Sequence, residues 1–193
     1  KEMSKKYQLS RKDHLELSKY CKKKGVTYLC SAFDLDSLKY LVNKLQIPII
    51  KIPSGEILSI DILKFASKFK GQIILSTGMS SINDIKKSLT MLKKNNVTLL
   101  HCVSLYPTTL DKVNLNNLNM LRNKFRLKVG FSDHTKSELA SLTAASMGIT
   151  ILEKHVTLSN KMEGPDHKSS LQIEKFAKLV KKIRLIEKIK GSN

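Results

Sequence analysis

Apolar residues along the 193-residue chain fall into two alternating patterns. Short continuous runs rich in β-branched side chains occupy Val26–Phe33, Ile47–Pro53, Gln72–Thr77, Val97–Val103, Leu127–Phe131 and Ile149–Val156. Each is bounded by Gly, Pro, Asn or polar residues and is too short for a helix, so they predict strands; apolar positions without alternation predict burial on both faces. Between them, apolar positions recur at helical spacing over Arg11–Lys23, Asp36–Lys44, Ser59–Lys68, Ser81–Lys94, Leu115–Lys124, Lys136–Met147 and Ile173–Lys188. Ser81, with Asp84 three residues on, reads as a helix-start cap, Ser170 as a simpler one, and Gly25 as the stop of the first helix.

Strand and helix in alternation predict an α/β fold with a parallel sheet covered by helices. No Gly-rich phosphate loop of the G-x-G-x-x-G or G-x-x-x-x-G-K kind follows any strand, which disfavours an open doubly wound sheet and favours a closed (β/α)8 TIM barrel. A whole barrel takes eight strands and about 250 residues. The expectation is therefore an incomplete barrel, about six of eight βα units, in one domain over residues 1–193. The N-terminal strands would lie upstream, and Lys188–Asn193 reads as the start of a severed linker.

Composition narrows the picture without changing it. No run approaches the roughly 18 apolar residues of a spanning helix, and the Lys-rich start lacks the apolar stretch of a signal peptide, so no membrane partner and a cytoplasmic address are expected. Cys21, Cys30 and Cys102 are odd in number and far apart, which suggests reduced thiols. The net charge of +19 raises a polyanion as partner, but 31 Lys against 4 Arg, scattered over the length, is not the arginine-based pattern that reads nucleic acid. No nucleic-acid partner is expected, although the positive field suits an anionic substrate.

In a barrel the polar residues at the C-terminal ends of the strands meet at one mouth. Those ends read Ser31 and Phe33; Lys51, Ser54 and Glu56; Ser76 and Thr77; His101, Ser104 and Tyr106; Ser132, Asp133 and His134; Glu153 and His155. Lys51 interrupts an apolar run, so its ammonium must either snorkel out or meet a bound anion. Singly, Ser31, Ser54, Ser104 and Ser132 are turn serines; together they suggest a phosphate or carboxylate cradle. His134 and His155, ending neighbouring strands, are either hydrogen-bonded core histidines or two ligands of one divalent ion. Gly164-Pro165-Asp166-His167 is either an exposed turn or a loop that aims Asp166 at a substrate hydroxyl. His101 and Cys102 face opposite sides of a strand and are set aside as a nucleophile pair.

The segments Lys51-Ile52-Pro53-Ser54-Gly55-Glu56, Ile74-Leu75-Ser76-Thr77-Gly78-Met79, Leu100-His101-Cys102, Tyr106-Pro107-Thr108, Phe131-Ser132-Asp133-His134-Thr135, Leu152-Glu153-Lys154-His155 and Glu163-Gly164-Pro165-Asp166-His167 resemble, in order, the bacterial sialic acid synthase family. The resemblance implies condensation of phosphoenolpyruvate with N-acetylmannosamine or a related acetamido sugar, giving a nonulosonic acid and phosphate. It implies that His134 and His155 hold Mn2+ or Mg2+ and that Lys51, Ser54 and Ser132, with Ser31 and Ser104, hold phosphoenolpyruvate. Tyr106 and Asp166 would address the sugar, and Glu56 would handle a proton or orient the reactants. Relatives often carry Thr where Ser31 stands and Asn where Ser104 stands. The family's first two strands and its C-terminal antifreeze-like domain have no counterpart here; the full-length protein is expected to be a homodimer and this chain alone to be inactive. Two rivals remain: another phosphoenolpyruvate-dependent synthase, making pseudaminate or 3-deoxy-octulosonate phosphate, and a fragment acting only as a binding module.

Overall fold

The computed structural model describes residues 7–92 and 96–191. Five strands, β1 (Ile49–Ile52), β2 (Gln72–Ser76), β3 (Val97–Cys102), β4 (Lys128–Asp133) and β5 (Leu152–Lys154), form one sheet in chain order, every neighbouring pair parallel. Helices α1 (Arg11–Lys23), α2 (Leu35–Asn43), α3 (Ile60–Ala66), α4 (Ile82–Leu92), α5 (Asn116–Phe125), α6 (Leu139–Ser146) and α7 (Ile173–Lys190) accompany them. The α/β alternation is the one predicted, and no helix among the described residues is long and apolar enough to cross a membrane.

Strand alternation divides the sheet into two faces. Ile73, Leu75, Leu99, Val129 and Phe131 share a core with Leu63, Ile85, Leu89, Leu118 and Leu121 of the helices. The residues between them, Lys51, Ser76, Cys102, Ser132 and Glu153, occupy the other face. There Lys51 Nζ on β1 lies 3.4 Å from Glu153 Oε2 on β5. In a flat sheet these strands would stand about 19 Å apart, beyond the combined reach of the two side chains. The sheet is therefore curled, with the polar residues on its concave face.

Local signals explain most boundaries. Ser81 and Asp84 form reciprocal hydrogen bonds at the start of α4: Ser81 N donates to Asp84 Oδ2 at 3.0 Å, and Asp84 N donates to Ser81 Oγ at 3.2 Å. Ser10 and Asp13 do the same for α1, which ends before Gly25 at φ 68°. The predicted end of the fourth helix at Lys94 lies outside the described residues.

Three expectations are corrected. Val26–Phe33 does not form a strand; only Ser31 bridges to Lys51, and Val26, Leu29 and Phe33 are exposed, so this edge segment lacks the packing and the second neighbour that a ladder needs. Ile149–Val156 divides after Lys154: β6 (Val156–Thr157) leaves the sheet to pair in parallel with β7 (Leu171–Gln172), drawn off where Leu171 N donates to the His155 carbonyl. Ser170 is not a helix cap, because its hydroxyl donates to the Asp166 carbonyl and Gln172 stands at the N-cap of α7.

Candidate active site

The concave polar residues converge at the C-terminal ends of the strands. Lys51 is buried at 6% exposure and its ammonium is paired with Glu153, so it neither snorkels nor stands unpartnered. Ser132 Oγ donates to the other oxygen of the same carboxylate, Glu153 Oε1, at 2.7 Å. Glu153 thus ties the lysine to the fourth strand. Sequence reasoning names it as a strand end without assigning it a role, because only the curl brings residues 51 and 153 together.

On the neighbouring strands, Ser54 Oγ accepts from Gly78 N at 2.9 Å and lies 3.2 Å from Cys102 Sγ. A Cβ at Gly78 would stand 2.4 Å from Ser104 Oγ, 2.8 Å from Cys102 Sγ and 2.9 Å from Ser54 Oγ, so glycine alone lets these groups close round its backbone. Ser76, at the end of β2, is 3% exposed and its hydroxyl is buried without a hydrogen-bond partner. A buried hydroxyl left this way costs about 1–3 kcal/mol and suits a group awaiting a ligand. Nothing in the spacing distinguishes Ser76 from an ordinary strand serine; its orphaned state is visible only in three dimensions.

His134 and His155 come together as predicted, with ring centroids 5.4 Å apart and planes at 80°. His134 Nδ1 lies 2.8 Å from the Val103 carbonyl, which can only accept, so Nδ1 carries the proton and Nε2 keeps its lone pair. Ser132 Oγ is 3.4 Å from that Nε2, but its proton is already given to Glu153. Burial, reinforced by His155, holds the His134 pKa below the ordinary value of 6.5 and so favours the neutral imidazole, against the opposing pull of the Val103 hydrogen bond. Tyr106 lies against both rings, at 4.1 Å from His134 and 5.8 Å from His155, and burial raises its phenol pKa. His155 Nδ1 lies 3.8 Å from Asp166 Oδ2.

No three His, Cys, Asp or Glu side chains among the described residues form a ready metal cage. Two imidazole rings do face each other there, one with its tautomer fixed by a backbone carbonyl. That donor set fits a divalent ion that keeps other positions for water or substrate oxygens.

Two predicted site residues stand apart. Ser31 is half-buried at the open edge, bridged through its backbone to Lys51 and lining a cleft of about 660 Å³ with Tyr7, His14 and Phe33. Glu56 is half-buried in the 3-10 turn Ser54–Glu56 and its carboxylate contacts none of the groups above through a hydrogen bond or ion pair. His101 faces the opposite side, as expected: it stacks on Phe131 and bonds the Val113 carbonyl at 2.7 Å. Cys102, set aside with it as a nucleophile, nevertheless lines the site beside Ser54.

Known proteins match this sequence along nearly the whole chain. The N,N'-diacetyllegionaminic acid synthase of Campylobacter jejuni is 43% identical over 195 residues, covering 98% of this chain and 58% of its own. That of Legionella pneumophila is 35% identical over 198 residues, covering 99% and 55%. The crystal structure of the N-acetylneuraminic acid (sialic acid) synthetase from Leptospira borgpetersenii superposes with a TM-score of 0.93 at 31% identity, covering 100% of this chain and 68% of that one. This chain thus spans little more than half the length of the curated relatives it matches. The sequence profile of the NeuB family matches residues 1–193, and the chain belongs to the NeuB family.

Proposed function

We propose that this chain carries the catalytic face of a synthase that condenses phosphoenolpyruvate with an acetamido sugar to give a nonulosonic acid and phosphate. The observation that carries the reading is the single concave face on which a buried ammonium, an orphaned serine hydroxyl and two facing imidazoles sit at the ends of β1, β2, β4 and β5. Two relatives named as legionaminic acid synthases, at 43% and 35% identity, favour a legionaminic-type product. The curl of the sheet supports the finer fold, a (β/α)8 barrel to which this chain contributes the five parallel strands of the main sheet.

In this reading the Lys51 ammonium and the hydroxyls of Ser54, Ser76, Ser104 and Ser132 bind and orient the phosphate and carboxylate of phosphoenolpyruvate, with Ser31 at the rim. His134 and His155 would hold a divalent ion, Mn2+ or Mg2+, whose chemistry when bound is Lewis-acid polarisation of the sugar aldehyde. Tyr106 and Asp166 orient the sugar over the two rings. C3 of phosphoenolpyruvate forms the bond to the aldehyde carbon, the aldehyde oxygen takes up a proton, water adds at C2, and the C2–O bond to phosphate breaks. Glu56, half-buried in the turn after β1, would hold a proton or orient the reactants, and Glu153 is the carboxylate already bonded to Lys51 and Ser132.

Thermal unfolding of the full chain with and without MnCl2 plus phosphoenolpyruvate tests the reading. A ligand that binds only the folded state raises the melting temperature, so the pair together should raise it, and His134→Ala or His155→Ala should abolish the rise. An unchanged melting temperature, or a rise that survives both substitutions, counts decisively against it.

A further inference from the structure

Directly behind the two imidazoles lies a buried charge pair that the chemistry above does not use. Asp133 stands between Ser132 and His134 and points away from the concave face; Lys154 does the same between Glu153 and His155. They are partners at the last rung shared by β4 and β5. Lys154 Nζ lies 2.8 Å from Asp133 Oδ2, with side-chain exposures of 1% and 0%. The other ammonium protons go to the carbonyls of Thr135 at 2.6 Å and Ser137 at 3.1 Å. Asp133 also accepts from Thr135 N at 2.8 Å and from the Ser141 hydroxyl of α6.

Beyond that rung the strands part: the His134 carbonyl accepts from Thr108 N, the His155 carbonyl from Leu171 N. The bonds of Lys154 to Asp133, Thr135 and Ser137 join the two segments there instead. Burying an ion pair costs solvation that apolar residues of similar size would avoid, so stability alone does not account for it. We infer that Asp133 and Lys154 are positioning residues, whose pair takes over from the backbone ladder and sets the separation and ring orientation of His134 and His155. This deepens the reading of those histidines as a ligand pair and rests on it for its functional consequence.

The test replaces both together in the full chain, Asp133→Leu with Lys154→Met, which leaves no orphan charge. Three measurements are made: thermal melting, the exchange-protected Nδ1–H signal of His134 by 15N NMR without metal, and Mn2+ affinity by electron paramagnetic resonance with phosphoenolpyruvate present. The expected result is a cooperative melt, a lost or displaced His134 signal and Mn2+ binding weakened by about 10- to 100-fold, the range for groups that orient metal ligands. A folded double variant with signal and affinity unchanged overturns the inference. If the unsubstituted chain itself binds no Mn2+, the ligand-pair reading fails separately, and the NMR signal alone decides the positioning role. If the double variant does not melt cooperatively, Ser141→Ala, which removes one donor to Asp133 and keeps the charges paired, is read out in the same way. A smaller shift in both readouts then supports the inference, and none overturns it.

Discussion

At the scale of single residues, Ser76 separates binding from folding most sharply. Its hydroxyl is buried and unpartnered, so replacing it by alanine removes a polar atom that burial penalises and leaves every existing hydrogen bond intact. Ser76→Ala should melt no lower than the unsubstituted chain, and up to about 1 kcal/mol higher in stability, while the phosphoenolpyruvate-dependent rise in melting temperature shrinks. Destabilisation with binding retained would assign the hydroxyl a structural role instead. Much of the site is legible as polar residues ending apolar runs: Lys51, Ser54, Ser132, His134 and His155 all announce themselves this way. What is not legible depends on what lies opposite. The partner of Lys51 is 102 residues away in sequence, and the place of Gly78 in the cradle depends on the closeness of three side chains from other strands.

At the scale of elements, boundaries are readable where the chemistry is local. The Ser81–Asp84 pair is a four-residue signal, and the structure realises both of its backbone bonds. Ser81→Ala should cost about 1 kcal/mol, seen as a lower denaturant midpoint with unchanged slope; no change would mean that tertiary packing alone fixes the start of α4. Ser170 misleads for the same reason: a serine near a helix start caps it only if its own backbone takes the N-cap place, and here its hydroxyl closes the loop onto Asp166. Val26–Phe33 carries strand-like composition, yet composition does not supply a neighbour to pair with, and a single bridge at Ser31 results. Ile149–Val156 is continuous in hydrophobicity but divides, because β7 offers Val156 and Thr157 a partner outside the main sheet.

For the molecule as a whole, the two histidines bonded to strand-end and loop carbonyls, His101 and His134, make folding sensitive to mild acid. Burial holds both below the ordinary value of 6.5. As pH falls through 6.5 the unfolded chain takes up protons that the folded chain refuses, so stability decreases until the lower folded values are reached. Melting temperatures measured at pH 7.5 and 5.5 should be lower at 5.5; an equal or higher value there would refute the argument. The window lies above the range in which Asp13, Asp34 and Asp84, all shifted downward by serine hydrogen bonds, begin to protonate. The surplus of 19 positive charges draws anions of every kind toward the surface. In the proposed reading, the Lys51–Glu153 pair would work as an ion exchanger at the end of that funnel. A visitor must displace a carboxylate that is tethered in place, so a singly charged ion brings no advantage over the counter-ion already bound, whereas one carrying several charges and oxygens for the surrounding hydroxyls does.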